Sequence, residues 1–172
     1  LGLAISKNQI IAMGRKFHPT DSEKNVIDIA ESPYETEFEL ERTFTLKGKT
    51  FFLAVCYDSF GIKHKNLENP GADYVINLIH GFSPKGFGNS GEVYFAKHGM
   101  AGASKQWECP IFSSAVFFNR EIPERWPTAV MWNKGNLSTQ KWKYDYNPIT
   151  ALNTFDLQIT FESVQFRTYE VL

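Results

Sequence analysis

The sequence predicts an α/β fold in which strands and helices form separate layers. Three strand-length segments are largely apolar, namely 50–55, 72–82 and 110–119. Stretches with turn residues or helical spacing separate them, so strand, helix, strand, helix and strand follow one another along the chain. Strands that are apolar on both sides are typical of sheets covered by other layers.

The composition limits the kinds of protein that this chain can be. Its 172 residues are 42% hydrophobic, which suffices for one sizeable core, so we expect a single domain over residues 1–172. Eighteen Lys and Arg residues against nineteen Asp and Glu leave no basic excess for binding nucleic acid or an anionic membrane. No apolar run approaches the roughly 20 residues of a membrane span. We therefore expect a soluble protein.

The two cysteines, Cys56 and Cys109, are too few for a disulfide scaffold. A reducing cytoplasm is the expected setting, and either thiol can then be free. His18, His64 and His98 have no spacing that suits a metal site, and Cys109 is too isolated to complete one. We therefore expect no metal and no cofactor.

The N-terminal half contains several predicted strands. Residues 3–13 form a predicted hairpin around a turn at 6–8, and a polar loop follows over 19–36. Apolar and polar residues alternate over 38–46, which predicts a half-buried strand with Arg42 as its one polar break. The interior strand 50–55 then ends at Cys56, and the chain itself starts as if partway through a strand.

Helices and further strands are predicted after Cys56. A short helix is expected near 62–68, and a longer one runs to about residue 106 from a cap at Asn89 or Ser90. Later strands are predicted near 128–132, 157–161 and 164–171.

Cys56 and Lys16 are the leading candidates for chemistry. Cys56 lies where an interior strand gives way to a turn and a helix, and the positive end of a helix dipole favours a thiolate. The alternative for Cys56 is a buried structural cysteine, and the alternative for Lys16 is an ordinary solvated charge. When Cys56 and Lys16 are considered one at a time, the non-catalytic alternative explains each of them better than a catalytic role does.

Three segments in order carry a resemblance to a known family. They are Gly14-Arg-Lys-Phe-His18 after a strand, Val55-Cys-Tyr-Asp-Ser-Phe60 at the end of an apolar strand, and Gly71-Ala-Asp-Tyr-Val-Ile-Asn77 downstream. Together they resemble the lysine and cysteine motifs of the nitrilase superfamily of carbon–nitrogen hydrolases, and the resemblance spans about residues 1–133.

The resemblance implies a four-layer α-β-β-α sandwich, incomplete in this chain, and a Glu-Lys-Cys catalytic triad. Cys56 would be the nucleophile that attacks a small amide or nitrile and forms a thioester intermediate. Lys16 and the backbone N–H of Tyr57 would stabilise the negative charge of the tetrahedral intermediate. The resemblance also suggests a homo-oligomer.

The family's general-base glutamate precedes its lysine motif, but none of the fifteen residues before Lys16 is Glu or Asp. We expect the chain to be a fragment that lacks the first strands and this glutamate. The alternatives are that another polypeptide supplies the glutamate or that the chain is an inactive relative. Some family members have a second glutamate after the lysine. Glu23 is the nearest candidate for it, and Glu31 and Glu35 are rivals.

His80 and Glu92 are weaker candidates for binding substrate. His80 ends the strand that follows the nucleophile strand, and Glu92 lies in the first turn of a predicted helix. Two other functions stay open at this point. One is a catalytically inactive nitrilase-like protein that binds a ligand or partner, and the other is a Cys-His hydrolase that pairs Cys56 with His80 or His98.

Overall fold

The computed structural model describes residues 1–82, 91–118, 120–123, 126–132, 146–160 and 162–170. The strands in this part of the chain are β1 (Gly2–Ser6), β2 (Gln9–Gly14), β3 (Thr43–Leu46), β4 (Lys49–Val55), β5 (Tyr74–Phe82), β6 (Ile111–Phe117), β7 (Ala129–Trp132), β8 (Tyr146–Pro148), β9 (Asn153–Ile159) and β10 (Glu162–Thr168). The helices are α1 (Asp58–His64), α2 (Glu92–Tyr94) and α3 (Ala101–Trp107), and the π-helical segment Phe95–Met100 joins α2 to α3.

A mixed sheet of six strands organises the fold, in the order β3-β4-β5-β6-β7-β8. β4, β5 and β6 run parallel to one another, while β3, β7 and β8 pair antiparallel with their neighbours. The α/β class predicted from the sequence is confirmed. Because β4 and β5 are parallel, the residues that follow β4 lie beside the end of β5, and this is where Cys56 is found.

The main core lies between one face of this sheet and the helices. Phe52, Val75 and Ile111 come from the sheet, Ile62 comes from α1 and Met100 from the π-helical segment, and all five are fully buried. Burial of each such side chain contributes about 1.5 to 3 kcal/mol. This packing fixes α1, and therefore the turn that precedes it, against β4.

The opposite face of the sheet carries a row of aromatic rings that contact one another. The ring centroids are 5.1 Å apart for Phe44 and Phe51, 5.2 Å for Phe51 and Tyr74, and 6.0 Å for Tyr74 and Phe112. A cavity of about 760 Å³ lies beside this row, between the sheet and the β1–β2 hairpin. Leu3 and other apolar side chains at its edge are exposed.

Several predicted elements differ from those observed. The strand expected over 38–46 begins only at Thr43, because Phe38 and Glu39 adopt left-handed φ angles of 50° and 66° in a turn. The helix expected near 62–68 begins earlier, at Asp58, and ends at His64. The late strands β9 and β10 pair with each other rather than with the main sheet. The predicted caps Asn89 and Ser90 lie outside the described residues.

Candidate active site

Cys56 has a left-handed backbone conformation directly after β4, with φ 52°. Its N–H donates to the carbonyl of Leu78 on β5 at 3.0 Å. Its carbonyl accepts a hydrogen bond from the Asn77 side-chain amide at 3.1 Å and a longer one from the Ser59 hydroxyl at 3.4 Å. The peptide groups on both sides of the thiol are thus held by β5 and α1.

Lys16 is a buried lysine, with only 6% of its surface exposed. Its Nζ donates to both carboxylate oxygens of Glu23, at 2.8 and 2.6 Å. The same carboxylate accepts hydrogen bonds from the backbone N–H and the hydroxyl of Thr20 at 2.7 and 2.8 Å. Lys16 is therefore not a solvated surface charge, and the loop after it folds back to hold its ammonium group.

One cavity of about 410 Å³ brings Cys56, Lys16 and Glu23 together. It is lined by Leu1, Arg15, Lys16, Glu23, Ile27, Asp28, Val55, Cys56, Leu78, Ile79 and His80. His80 thus lies at the same cavity as the thiol, as its predicted position near the end of β5 suggested. The wall combines apolar side chains with a few charged ones, which is the usual composition of a small-molecule site.

Three other residues singled out in the sequence lie outside this wall. The carboxylate of Glu92 pairs with Arg120 at 2.9 Å. The ring of His98 packs against Tyr94, with centroids 4.5 Å apart. Cys109 is buried in the main core. None of the three is among the residues that line the cavity around Cys56.

The pKa of the Cys56 thiol is raised above its ordinary value, because burial disfavours the thiolate. Lys16 and backbone hydrogen bonds from His80 and Tyr57 oppose this effect but do not outweigh it. The lowered pKa expected from the helix dipole is therefore not found, since desolvation dominates and α1 has only seven residues. The backbone N–H groups of Tyr57 and His80 both act on the Cys56 sulfur, and the role of Tyr57 in stabilising a negative oxygen stays a prediction.

Glu23 is ionised more readily than an ordinary glutamate. Burial raises its pKa, but the hydrogen bonds from Lys16 and Thr20 together lower it further than burial raises it. Glu23 therefore stays charged near neutral pH, and its ion pair with Lys16 lies at the wall of the cavity.

Asp58 is a site residue that the sequence reasoning missed. Its side chain is fully buried, and Oδ1 accepts hydrogen bonds from the backbone N–H groups of Phe17 and His18, each at 2.9 Å. Oδ2 accepts from the N–H of Val55 at 2.9 Å and from Arg42 Nη1 at 3.4 Å. Burial raises the pKa of Asp58 to about 6, and these donors oppose the rise.

Arg42 completes this buried polar group. Its Nη1 also donates to the carbonyl of Leu53 at 3.2 Å, and its Nη2 donates to the carbonyl of Arg15. The guanidinium lies over the rings of Phe17 and Phe52, 5.1 and 5.3 Å from their centroids. The single polar break in the alternating segment 38–46 was the one signal in the sequence that pointed to Arg42.

No cluster of three or more His, Cys, Asp or Glu side chains suited to a metal ion occurs within the described residues. Over the same ranges, no helix has the length and apolar character needed to cross a membrane. No family model matches the chain, and neither the curated proteins nor the solved structures include a match to it.

Proposed function

We propose that this chain carries the nucleophile and the electrostatic partner of a hydrolase that cleaves carbon–nitrogen bonds in small amides or nitriles. One observation carries the proposal: Cys56 lines the same cavity as Lys16 and Glu23, although it is distant from both in sequence. The order of the lysine and cysteine segments, which resembles that of the nitrilase superfamily, agrees with this arrangement.

For an amide, the proposed reaction has two stages. The Cys56 thiol gives up its proton, its sulfur bonds to the carbonyl carbon, and the carbonyl oxygen becomes negatively charged. The carbon–nitrogen bond then breaks, and the nitrogen leaves as ammonia or an amine with the proton that the thiol released. Water next attacks the thioester, which yields a carboxylic acid and restores the thiol.

Each described group has a part in this reaction. Lys16 and the backbone N–H groups of Tyr57 and His80 are proposed to stabilise the negative oxygen, and their effect on the pKa of the Cys56 thiol supports this role. Glu23 is the carboxylate proposed to hold the ammonium of Lys16 in place, since both of its oxygens accept hydrogen bonds from it. Because the pKa of Cys56 is raised, the thiol also needs a proton acceptor at neutral pH, a role that the resemblance gives to a glutamate other than Glu23.

A second candidate function is a catalytically inactive, nitrilase-like protein that binds a ligand in the same cavity. The raised pKa of Cys56 favours this alternative, because a thiol that stays protonated is a poor nucleophile. Both functions predict a small neutral ligand. They differ in whether the ligand is consumed.

The decisive experiment measures ammonia or amine release from a panel of small amides and nitriles, with the wild-type protein and with C56A. We expect the wild type to release the amine and C56A to lose at least a thousandfold in rate, because no covalent intermediate can form. The matched control is C109A, which removes the buried thiol that lies away from the cavity and should keep the wild-type rate.

Retention of the wild-type rate by C56A would exclude the cysteine mechanism. Ligand binding by the wild type without turnover of any substrate in the panel would favour the inactive binding protein. Mass spectrometry of the quenched wild-type reaction adds a direct test, because the thioester adds the mass of the acyl group to the peptide that contains Cys56.

We further propose that the six-stranded sheet is one of the two inner layers of an α-β-β-α sandwich. The apolar face beside Phe44, Phe51 and Tyr74 supports this, because a second sheet would cover it. A homo-oligomeric state and a cytoplasmic location stay predictions. Sedimentation of the purified protein tests the first of them.

A further inference from the structure

We infer that Asp58 is a positioning residue that fixes the distance between the Lys16 ammonium and the Cys56 sulfur. The effect of Asp58 on the reaction rests on the proposed function, whereas its effect on the geometry of the two residues does not. The two carboxylate oxygens of Asp58 bind different segments of the chain. Oδ1 binds the loop after β2 and Oδ2 binds the end of β4.

The contacts of Asp58 are immediately next to the two reactive residues. Phe17, whose N–H binds Oδ1 at 2.9 Å, follows Lys16 directly in the chain. Val55, whose N–H binds Oδ2 at 2.9 Å, directly precedes Cys56. One rigid carboxylate therefore links the backbone of the lysine to the backbone of the nucleophile.

Arg42 extends the same link to the other side of Lys16. Its Nη2 binds the carbonyl of Arg15, the residue before Lys16, while its Nη1 binds both Asp58 and the carbonyl of Leu53 on β4. The peptide groups before and after Lys16 are thus both held by the buried pair of Arg42 and Asp58. Neither member of the pair lines the cavity, so they act on the reaction through Lys16 and Cys56.

The chemistry of the site favours an aspartate. Three backbone N–H groups and one guanidinium nitrogen converge on the carboxylate, and all are donors. A carboxylate accepts from all four, whereas the amide of an asparagine would turn its own N–H₂ group toward at least one donor. In D58N we therefore expect one side chain no longer to hold both the loop that carries Lys16 and the turn at Cys56. The substitution changes the side-chain volume little.

The pKa of Cys56 reports the distance between the ammonium and the sulfur. Lys16 lowers this pKa through its charge, so a displaced Lys16 lets the pKa rise. The rate of iodoacetamide alkylation against pH gives the pKa directly, because the thiolate is the reacting species. Cys109 does not interfere, since burial raises its pKa to about 12.

The test is a double-mutant cycle on this alkylation profile with D58N, K16M and the double variant. We expect each single variant to raise the pKa of Cys56 by about one unit, a roughly tenfold loss of thiolate near neutral pH. If Asp58 acts through Lys16, the double variant shows no more than the larger single shift. The matched control is S104A, which removes a fully buried hydroxyl bonded to the Cys109 carbonyl and should leave the profile unchanged.

Additive shifts in the double variant, or a wild-type profile in D58N, would overturn the inference. The alkylation assay needs no substrate, so it is independent of hydrolysis. If the pKa shifts are non-additive but no substrate is hydrolysed, the proposed function is refuted and the positioning role of Asp58 is not. Turnover with additive shifts would refute the positioning role alone.

A measurement on the wild type covers the case in which D58N does not fold. Nuclear magnetic resonance can follow the amides of Phe17, His18 and Val55 and the ε-methylene of Lys16 as the pH is lowered. If one carboxylate holds all of them, their shifts follow a single titration curve. The ring protons of His18 are followed in parallel, because this imidazole, whose pKa is lowered from 6.5, also titrates as the pH falls. Separate curves for Phe17 and Val55 that the His18 ring does not account for, or an unresponsive Lys16, would contradict the role assigned to Asp58.

Discussion

The backbone of Cys56 is held in its left-handed conformation by a side chain from the neighbouring strand. Asn77 is fully buried on β5, and its Nδ2 donates to the Cys56 carbonyl at 3.1 Å. A non-glycine residue with positive φ is strained, so it needs surrounding contacts that favour this conformation. Asn77 supplies one of these contacts, which gives a buried amide a structural reason to lie in an otherwise apolar strand.

We predict that N77L destabilises the protein by about 1 to 3 kcal/mol and slows alkylation of Cys56. The leucine cannot donate, so the Cys56 carbonyl keeps only the long contact from Ser59. Urea unfolding measures the first effect and the alkylation rate at fixed pH measures the second.

The matched control for N77L is N69L. Asn69 also bonds to backbone groups, those of Ala72 and Trp107, but it lies away from the cavity. We expect N69L to lower stability and leave alkylation of Cys56 unchanged. Equal slowing in both variants would show that the effect comes from general loosening of the fold.

Residue roles could be predicted from the sequence only where a local pattern marks them. The end of an apolar strand marks Cys56, and Lys16 follows a predicted hairpin. The role of Asp58 depends on backbone groups as far as 41 residues away, and that of Asn77 on a carbonyl 21 residues away. No local pattern encodes such contacts, so they emerged only with the fold.

At the level of elements, close contact between α1 and the loop after β2 positions Lys16 relative to Cys56. A Cβ atom added at Gly61 on α1 would lie 2.6 Å from the Cβ of His18 and 2.8 Å from the ring of Phe17. Contacts this short do not occur in folded proteins, so the loop would have to move. The glycine is therefore required for the close approach.

We predict that G61A destabilises the protein by roughly 1 to 2 kcal/mol and raises the pKa of Cys56. Alanine favours a helix by up to about 1 kcal/mol over glycine, but overpacking of a buried site costs about 1 to 3 kcal/mol. The displaced loop carries Lys16 away from the thiol. Thermal or urea unfolding and the alkylation profile check the two effects.

G91A is the matched control for G61A. Gly91 precedes α2, and a Cβ atom there would have no neighbour within 4 Å. We expect its stability to stay within about 0.5 kcal/mol of the wild type and its alkylation profile to be unchanged. A wild-type profile in G61A would show that the loop tolerates the shift.

Elements with a strong apolar pattern were predicted well, and elements shaped by turns were not. The predicted interior strands 50–55, 72–82 and 110–119 correspond to β4, β5 and β6. The segment before β3 was predicted as strand because Phe38 and Leu40 fit the alternation, yet Phe38 is 78% exposed in a turn. The pattern records which residues are apolar, whereas the Glu37–Leu40 bridge that closes this turn depends on backbone geometry.

At the scale of the whole molecule, the buried thiol of Cys109 links stability to alkaline pH. Burial raises its pKa to about 12 from an ordinary value of 9.0. Between these values the unfolded chain loses the proton while the folded protein keeps it. The contribution of Cys109 to stability is therefore fully present below pH 9 and falls as the pH rises toward 12.

We predict that the free energy of unfolding falls by roughly 2 kcal/mol more between pH 9 and pH 11 in the wild type than in C109A. Lysines and tyrosines also titrate in this range, but they are common to both proteins, so the difference isolates Cys109. Urea unfolding at the two pH values measures it. Equal pH dependence in both proteins would show that the thiol ionises freely in the folded state.

The overall class was more predictable than the arrangement of the layers. Interior strands such as 50–55 required a covered sheet, and the helices cover one face of it. The pairing of β9 with β10 alone, and the addition of β8 at the edge of the main sheet, could not be predicted. Strand order depends on contacts between distant segments, and the local pattern of apolar and polar residues carries little information about such contacts.

The positive φ of Cys56 limits which residues evolution or design could place there. Serine is unbranched at Cβ like cysteine and would keep the same backbone conformation. The turn can therefore accept an exchange of the sulfur for an oxygen. Threonine is less favourable there, because a β-branched side chain fits poorly at φ 52°. A search for altered reactivity at this position should therefore sample serine, asparagine, aspartate and glycine before any branched residue.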